Sequence, residues 1–77
     1  MHKIPIRFRI VRTGEILEVC FDIRLSFIQN MELLNQADRV VADDFRVYDP
    51  HKKIFLDRNI PLSEFRLERF MSFCLFY

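Results

Sequence analysis

The sequence predicts an α+β domain in which one helix packs on one face of a five-stranded sheet. Two alternating runs, residues 3–11 and 16–22, flank the only glycine. At Ser26 the hydrophobic period changes from two to a helical spacing. After residue 45, short alternating stretches return with turn residues between them. The element order is therefore β-β-α-β-β-β.

In KIPIRFRIV (3–11), Ile4, Ile6, Phe8 and Ile10 share one face while Lys3, Arg7 and Arg9 point the other way, as in a half-buried strand. Pro5 has no N–H, so it belongs at the strand's start or at a position without a ladder bond. RTGE (12–15) marks a hairpin. ILEVCFD (16–22) then puts Leu17, Val19 and Phe21 inward and Glu18, Cys20 and Asp22 outward. Arg7 and Arg9 are expected to pair with Glu18 and Asp22 across the exposed face, for a modest gain.

SFIQ (26–29) reads as a capping box, with the Ser26 hydroxyl and the Gln29 side chain each meeting the other's backbone N–H. Leu25 before the cap has only Asn30 to staple to, so the staple is weak. Phe27, Met31 and Leu34 make one apolar stripe. Gln29, Asn30, Glu32, Asn35 and Gln36 are placed on the rest of the wheel, and the helix is expected to fray near Ala37-Asp38. In RVVADD (39–44), Val40 and Val41 are expected to tuck under the core.

FRVYD (45–49) alternates Phe45 and Val47 against Arg46 and Tyr48. DPHKK is a turn, with Pro50 fixing φ and Asp49 bonding the backbone ahead. IFL (54–56) is short, as suits an edge strand. NIPLSEF supplies a single helical turn wedged by Leu62 and Phe65. FMSFCLFY (70–77) is a final strand, apolar everywhere but Ser72. One helix cannot cover two faces of a sheet, so the other face is wet or meets a partner.

Composition narrows the function. Seventy-seven residues suit one domain, 1–77, and the nine Phe are many for that size. Net charge is +1 with acids and bases interspersed, which gives no field suited to nucleic acid or anionic lipid. No run approaches the ~18 apolar residues of a membrane span. Met1-His2-Lys3 leads into alternation rather than an apolar stretch, so no signal peptide is expected and the cytoplasm is the expected compartment.

PLSEF (61–65) and the element order together resemble the ubiquitin-like β-grasp fold. Ubiquitin has Leu-Ser-Asp-Tyr where this chain has Leu62-Ser63-Glu64-Phe65. The resemblance implies a mixed sheet of order 2-1-5-3-4. Continued without gaps, it turns Leu67, Phe73 and Leu75 inward and Cys74 and Phe76 outward. Within that superfamily the chain is similar to the small bacterial YukD/EsaB proteins of type VII secretion loci. They share a segment like Phe21-Asp22-Ile23-Arg24-Leu25-Ser26, although they usually carry Gly-Asp where this chain has Glu68-Arg69. That likeness implies an accessory or regulatory role in secretion, with a component of the machinery as partner. The alternative is an unrelated β-grasp adaptor that dimerises or binds a partner through the outer sheet face.

The implied strand order separates Cys20 from Cys74 by a whole strand, so two free thiols are expected. Ubiquitin-type conjugation and sulfur carriage both need a flexible terminal diglycine; Leu75-Phe76-Tyr77 is the expectation against them. His2 is terminal, His51 lies beside Lys52 and Lys53, and Asp43-Asp44 reads as solvated or capping. Cys74 has Ser72 and Phe76 for outer neighbours and no base. No catalytic residue, cofactor or metal site is therefore expected. What remains is a partner-binding set on the outer face: Arg46, Tyr48, Cys74 and Phe76, joined by Phe70 if the last strand starts that early. Aromatics with arginines are the usual anchors of protein interfaces.

Overall fold

A computed structural model describes residues 2–37 and 44–77. The expectations for Val40, Val41 and Asp43 lie outside them, as does Asp38 beyond the helix end. The strands are β1 (Lys3–Ile10), β2 (Ile16–Asp22), β3 (Arg46–Asp49), β4 (Ile54–Leu56) and β5 (Met71–Phe76). The helix α1 spans Phe27–Gln36, and a 3-10 turn covers Leu62–Glu64. The strands form one sheet of order β2-β1-β5-β3-β4, in which β1 and β5 run parallel and the other pairs antiparallel. This is the implied arrangement.

Alternation decides which side chains meet the helix. Ile6, Phe8 and Ile10 of β1, Val19 and Phe21 of β2, Val47 of β3, and Phe73 and Leu75 of β5 are buried in one cluster with Phe27 and Met31. Met71, Tyr77, Leu67 and Phe65 pack on its margin, half-buried. Leu62 wedges beneath the 3-10 turn with no exposed surface. Cys20 pairs with Pro5 and Cys74 with Arg9, so β1 stands between two free cysteines.

Three expectations need correction. The hairpin register puts Arg7 opposite Glu18, and these two do pair, Nε to Oε1 at 2.6 Å. Arg9, however, falls opposite Ile16, while Asp22 lies at the far end of the ladder opposite Lys3. Asp22 is engaged instead by Arg24, whose Nη2 donates at 2.7 Å, Nε at 3.1 Å and backbone N–H at 2.9 Å. Phe70 is not in the last strand, which begins at Met71; it occupies a turn with φ +61°.

The third correction is Asn30, which lies off the apolar stripe of the wheel and is nevertheless buried at 3% exposure. Its side-chain oxygen accepts from the Asp22 N–H at 2.9 Å, and its Nδ2 donates to the carbonyls of Asp22 (3.0 Å) and Ser26 (2.9 Å). An amide matches a peptide unit, so Asn30 acts as a strand rung that closes the end of β2. It thereby ties the first turn of α1, with its intact Ser26–Gln29 capping box, to the sheet. Asn30→Ala leaves the Asp22 N–H without its partner, while the Asp22 and Ser26 carbonyls keep the N–H groups of Leu25 (3.1 Å) and residue 30 (3.0 Å); the expected cost is about 1–3 kcal/mol. Urea denaturation is the check; a loss below about 0.5 kcal/mol, the range of an ordinary surface change, would contradict the rung.

The Asp22–Arg24 contact also sets a pH response. The side-chain hydrogen bonds from Arg24, and next its backbone N–H, hold the Asp22 carboxyl down at about 2 against an ordinary 3.8. A carboxyl lowered by folding stabilises the fold above its ordinary value, and that contribution disappears as pH falls from 3.8 toward 2. Melting temperatures across that window should fall less steeply for Arg24→Gln than for the parent. Parallel curves would remove the pair from the acid response.

Candidate functional site

The sheet's second face carries no helix. Register alone builds a row across all five strands on it: Ile16, Arg9, Cys74, Tyr48 and Phe55. A shorter row holds Glu18, Arg7 and Ser72. On the other side of the long row, Arg46 lies opposite Phe76.

Of the five residues named from sequence, four come together. Tyr48 neighbours Cys74 across the ladder, Arg46 neighbours Phe76, and the Tyr48 and Phe76 rings meet edge to face with centroids 6.2 Å apart. Phe76 is 37% exposed, Arg46 is exposed, and Tyr48 and Cys74 are half-buried. Phe70 lies apart, at the end where β5 begins. Its ring is 54% exposed beneath the Arg7 guanidinium, which sits 5.5 Å from the ring centre.

Phe55 was missed. It is 54% exposed, with its ring centre 5.0 Å from Tyr48 and 5.8 Å from Phe76, so the three rings form a closed cluster. The signal was present in IFL: Leu56 packs on the core, so its neighbour must face outward. The cluster therefore extends to the edge strand.

Backbone geometry holds these positions in place. The β3–β4 turn is fixed by buried Asp49, whose Oδ1 accepts from the N–H groups of His51 (2.9 Å) and Lys52 (3.3 Å). That places Phe55 directly opposite Tyr48. Beside the cluster runs an open groove of about 470 Å³ lined by Arg7, Arg9, Ile16, Pro50 and Cys74. Among the described residues, neither Arg9 nor Arg46 makes an ion pair. The Arg7–Glu18 pair is about half exposed on both sides and is worth at most about 1 kcal/mol.

The rings of this face offer apolar area and its guanidinium groups offer charge-assisted hydrogen bonds. Across the ladder Cys74 meets Arg9 and Tyr48 rather than a His or a carboxylate. Among the described residues, no three His, Cys, Asp or Glu gather as metal ligands. No described helix is long and apolar enough to cross a membrane.

No family model matches the sequence, and no curated protein matches it. Solved structures do. A chain from a structure described as molecular mimicry of SUMO promoting DNA repair aligns over 97% of this chain and 91% of its own, with TM-score 0.76 and 13% identity. The ubiquitin-like domain of Plasmodium falciparum Dsk2 aligns over 96% of both chains, with TM-score 0.74 and 12% identity. The fold is the ubiquitin-like β-grasp. A chain of the toluene 4-monooxygenase complex with the inhibitor 4-bromobenzoate shares it too, over 97% of this chain and 98% of its own, with TM-score 0.71 and 18% identity. Such likenesses establish architecture; function rests on the site each protein carries.

Proposed function

We propose that this chain is a non-catalytic, ubiquitin-like protein-interaction module of the cytoplasm whose outer sheet face docks a protein partner. The observation that carries the reading is the Tyr48–Phe55–Phe76 cluster beside Arg9 and Arg46, neither of which makes an ion pair among the described residues. Exposed aromatics packed on one another, with arginines at the rim, have the composition of interface anchors. A domain with this many apolar residues outside its core gains by covering them.

The finer reading is an accessory or regulatory component of a bacterial type VII secretion system, with a part of that machinery as partner. It is supported by Phe21-Asp22-Ile23-Arg24-Leu25-Ser26, which resembles the corresponding YukD/EsaB segment. In this chain the segment holds the Asp22–Arg24 contact and the helix cap, so it stabilises the fold and stands apart from the docking face.

Tyr48→Ser combined with Phe76→Ser tests the reading. Each ring pair is worth about 0.5–1.5 kcal/mol and the variant removes all three, so it should remain folded with a loss of roughly 1.5–4.5 kcal/mol. It should lose the partners that the parent retains in a pull-down, or dissociate on a sizing column if the partner is a second copy. A folded double variant that keeps every partner and the parent's oligomeric state would remove this face as the docking surface.

A further inference from the structure

We propose a second docking site, separate from the aromatic cluster: a cationic cleft that binds an acidic segment of a protein partner carrying an apolar side chain among its carboxylates. It lies where β1 and β5 begin, whereas the aromatic cluster lies where β5 ends. Lys3, Arg66 and Arg69 form its rim, and half-buried Ile23, Phe65 and Leu67 contribute to its floor, around a volume of about 380 Å³.

Charge identifies the occupant. The whole chain is only +1, yet among the described residues three cations and no acidic side chain line this cleft, Glu64 and Glu68 of the same segment lying outside its lining. None of the three makes an ion pair among the described residues; Arg69 rests 6.0 Å from the Phe70 ring centre. Three like charges around one concavity raise the local concentration of anions. The apolar floor adds an aliphatic or aromatic side chain to the requirement. The cleft is open, so a small carboxylate would leave much of its surface in water, unlike ligands that pockets bury by 70–90%. A peptide continues past the opening and spreads over the rim.

The walls are held before any ligand arrives. The Leu62 and Ser63 N–H groups donate to the carbonyls of Leu25 (3.0 Å) and Ile23 (2.8 Å), clamping the 3-10 turn to the β2–α1 connection. The Phe70 N–H donates to the Pro5 carbonyl at 2.7 Å, which anchors the turn carrying Arg69 beside β1. A preformed site avoids much of the ordering cost of binding.

The test is an amide NMR titration of the whole chain with the peptide acetyl-Glu-Leu-Glu-Phe-Glu-amide. Shifts are expected at Lys3, Ile23, Ser63, Arg66 and Arg69 and absent at Tyr48, Phe55 and Phe76. Affinity should fall roughly tenfold or more when Gln replaces Glu in the peptide, and equally in Arg66→Glu with Arg69→Glu, whose side chains are exposed. If that double variant loses its dispersed spectrum, Lys3→Glu alone is read, with a weakening of roughly threefold or more expected. Any of three results overturns the proposal: no shifts at the cleft, equal binding of the Gln peptide, or shifts confined to the aromatic cluster. Cleft shifts with phosphatidylserine vesicles but none with the peptide would overturn it in favour of a lipid surface. Loss of this site leaves the outer-face reading intact, because the two sites share no residue.

Discussion

Leu75→Asp is expected to leave the chain unfolded at 25 °C, while Phe76→Asp, one residue on, is expected to fold. Leu75 has no exposed surface and sits in the core cluster, paired with Ile10 on one side and Val47 on the other. Truncating such a leucine costs about 2–5 kcal/mol before any charge is considered. Burying a carboxylate without a partner adds several more. A domain of this length holds only roughly 4–12 kcal/mol in all, at about 0.05–0.15 per residue. Phe76→Asp surrenders ring contacts worth about 0.5–1.5 kcal/mol each and places its carboxylate opposite Arg46. Circular dichroism and thermal melts separate the outcomes. Similar losses for both would mean that both faces of β5 are buried, or that the faces are exchanged.

Phe27→Ala is the second large effect. Phe27 is fully buried, and its ring centre lies 6.1 Å from Phe8, 6.4 Å from Phe21, 6.0 Å from Phe65 and 6.1 Å from Phe73. It is thus the point at which α1 joins three strands and the segment after the 3-10 turn. Removing a buried Phe costs about 3–5 kcal/mol, against about 1 for losing the Ser26 cap one residue earlier. In urea the midpoint of Phe27→Ala should fall several times further than that of Ser26→Ala. Equal shifts would show that capping, rather than this ring cluster, holds the helix on the sheet.

The elements were legible because period two and the helical period differ over even short windows. KIPIRFRI and ILEVCFD assigned both faces of the hairpin, and SFIQ located the helix start to the residue. The strand order came from the likeness of PLSEF to ubiquitin, since alternation says which face a residue takes and nothing about its neighbours.

What escaped the sequence depends on tertiary geometry. Asn30 looks polar and solvated on a helical wheel; only the position of the β2 end gives its amide a backbone to pair with. Arg9 and Asp22 are both outward, yet they sit at opposite ends of one ladder. Phe70 extends an apolar run without extending the strand. Its left-handed backbone, which a side chain adopts at a cost of about 1–2 kcal/mol, is set by the turn that Pro5 anchors. Alternation put Tyr48 and Phe76 on one face, where their rings meet, and Phe55 joins them because Leu56 beside it packs on the core.

The proposed function places the aromatic docking surface on the helix-free face and leaves the exposed flank of α1 without a partner. Photo-crosslinking from single benzoylphenylalanine substitutions tests it most directly. Phe55 and Leu33 suit the comparison, because both are about half exposed, at 54% and 51%, on β4 and α1. In the native host, position 55 should give a discrete covalent adduct with another polypeptide and position 33 should give none. An adduct from position 33 with none from position 55 would contradict the account.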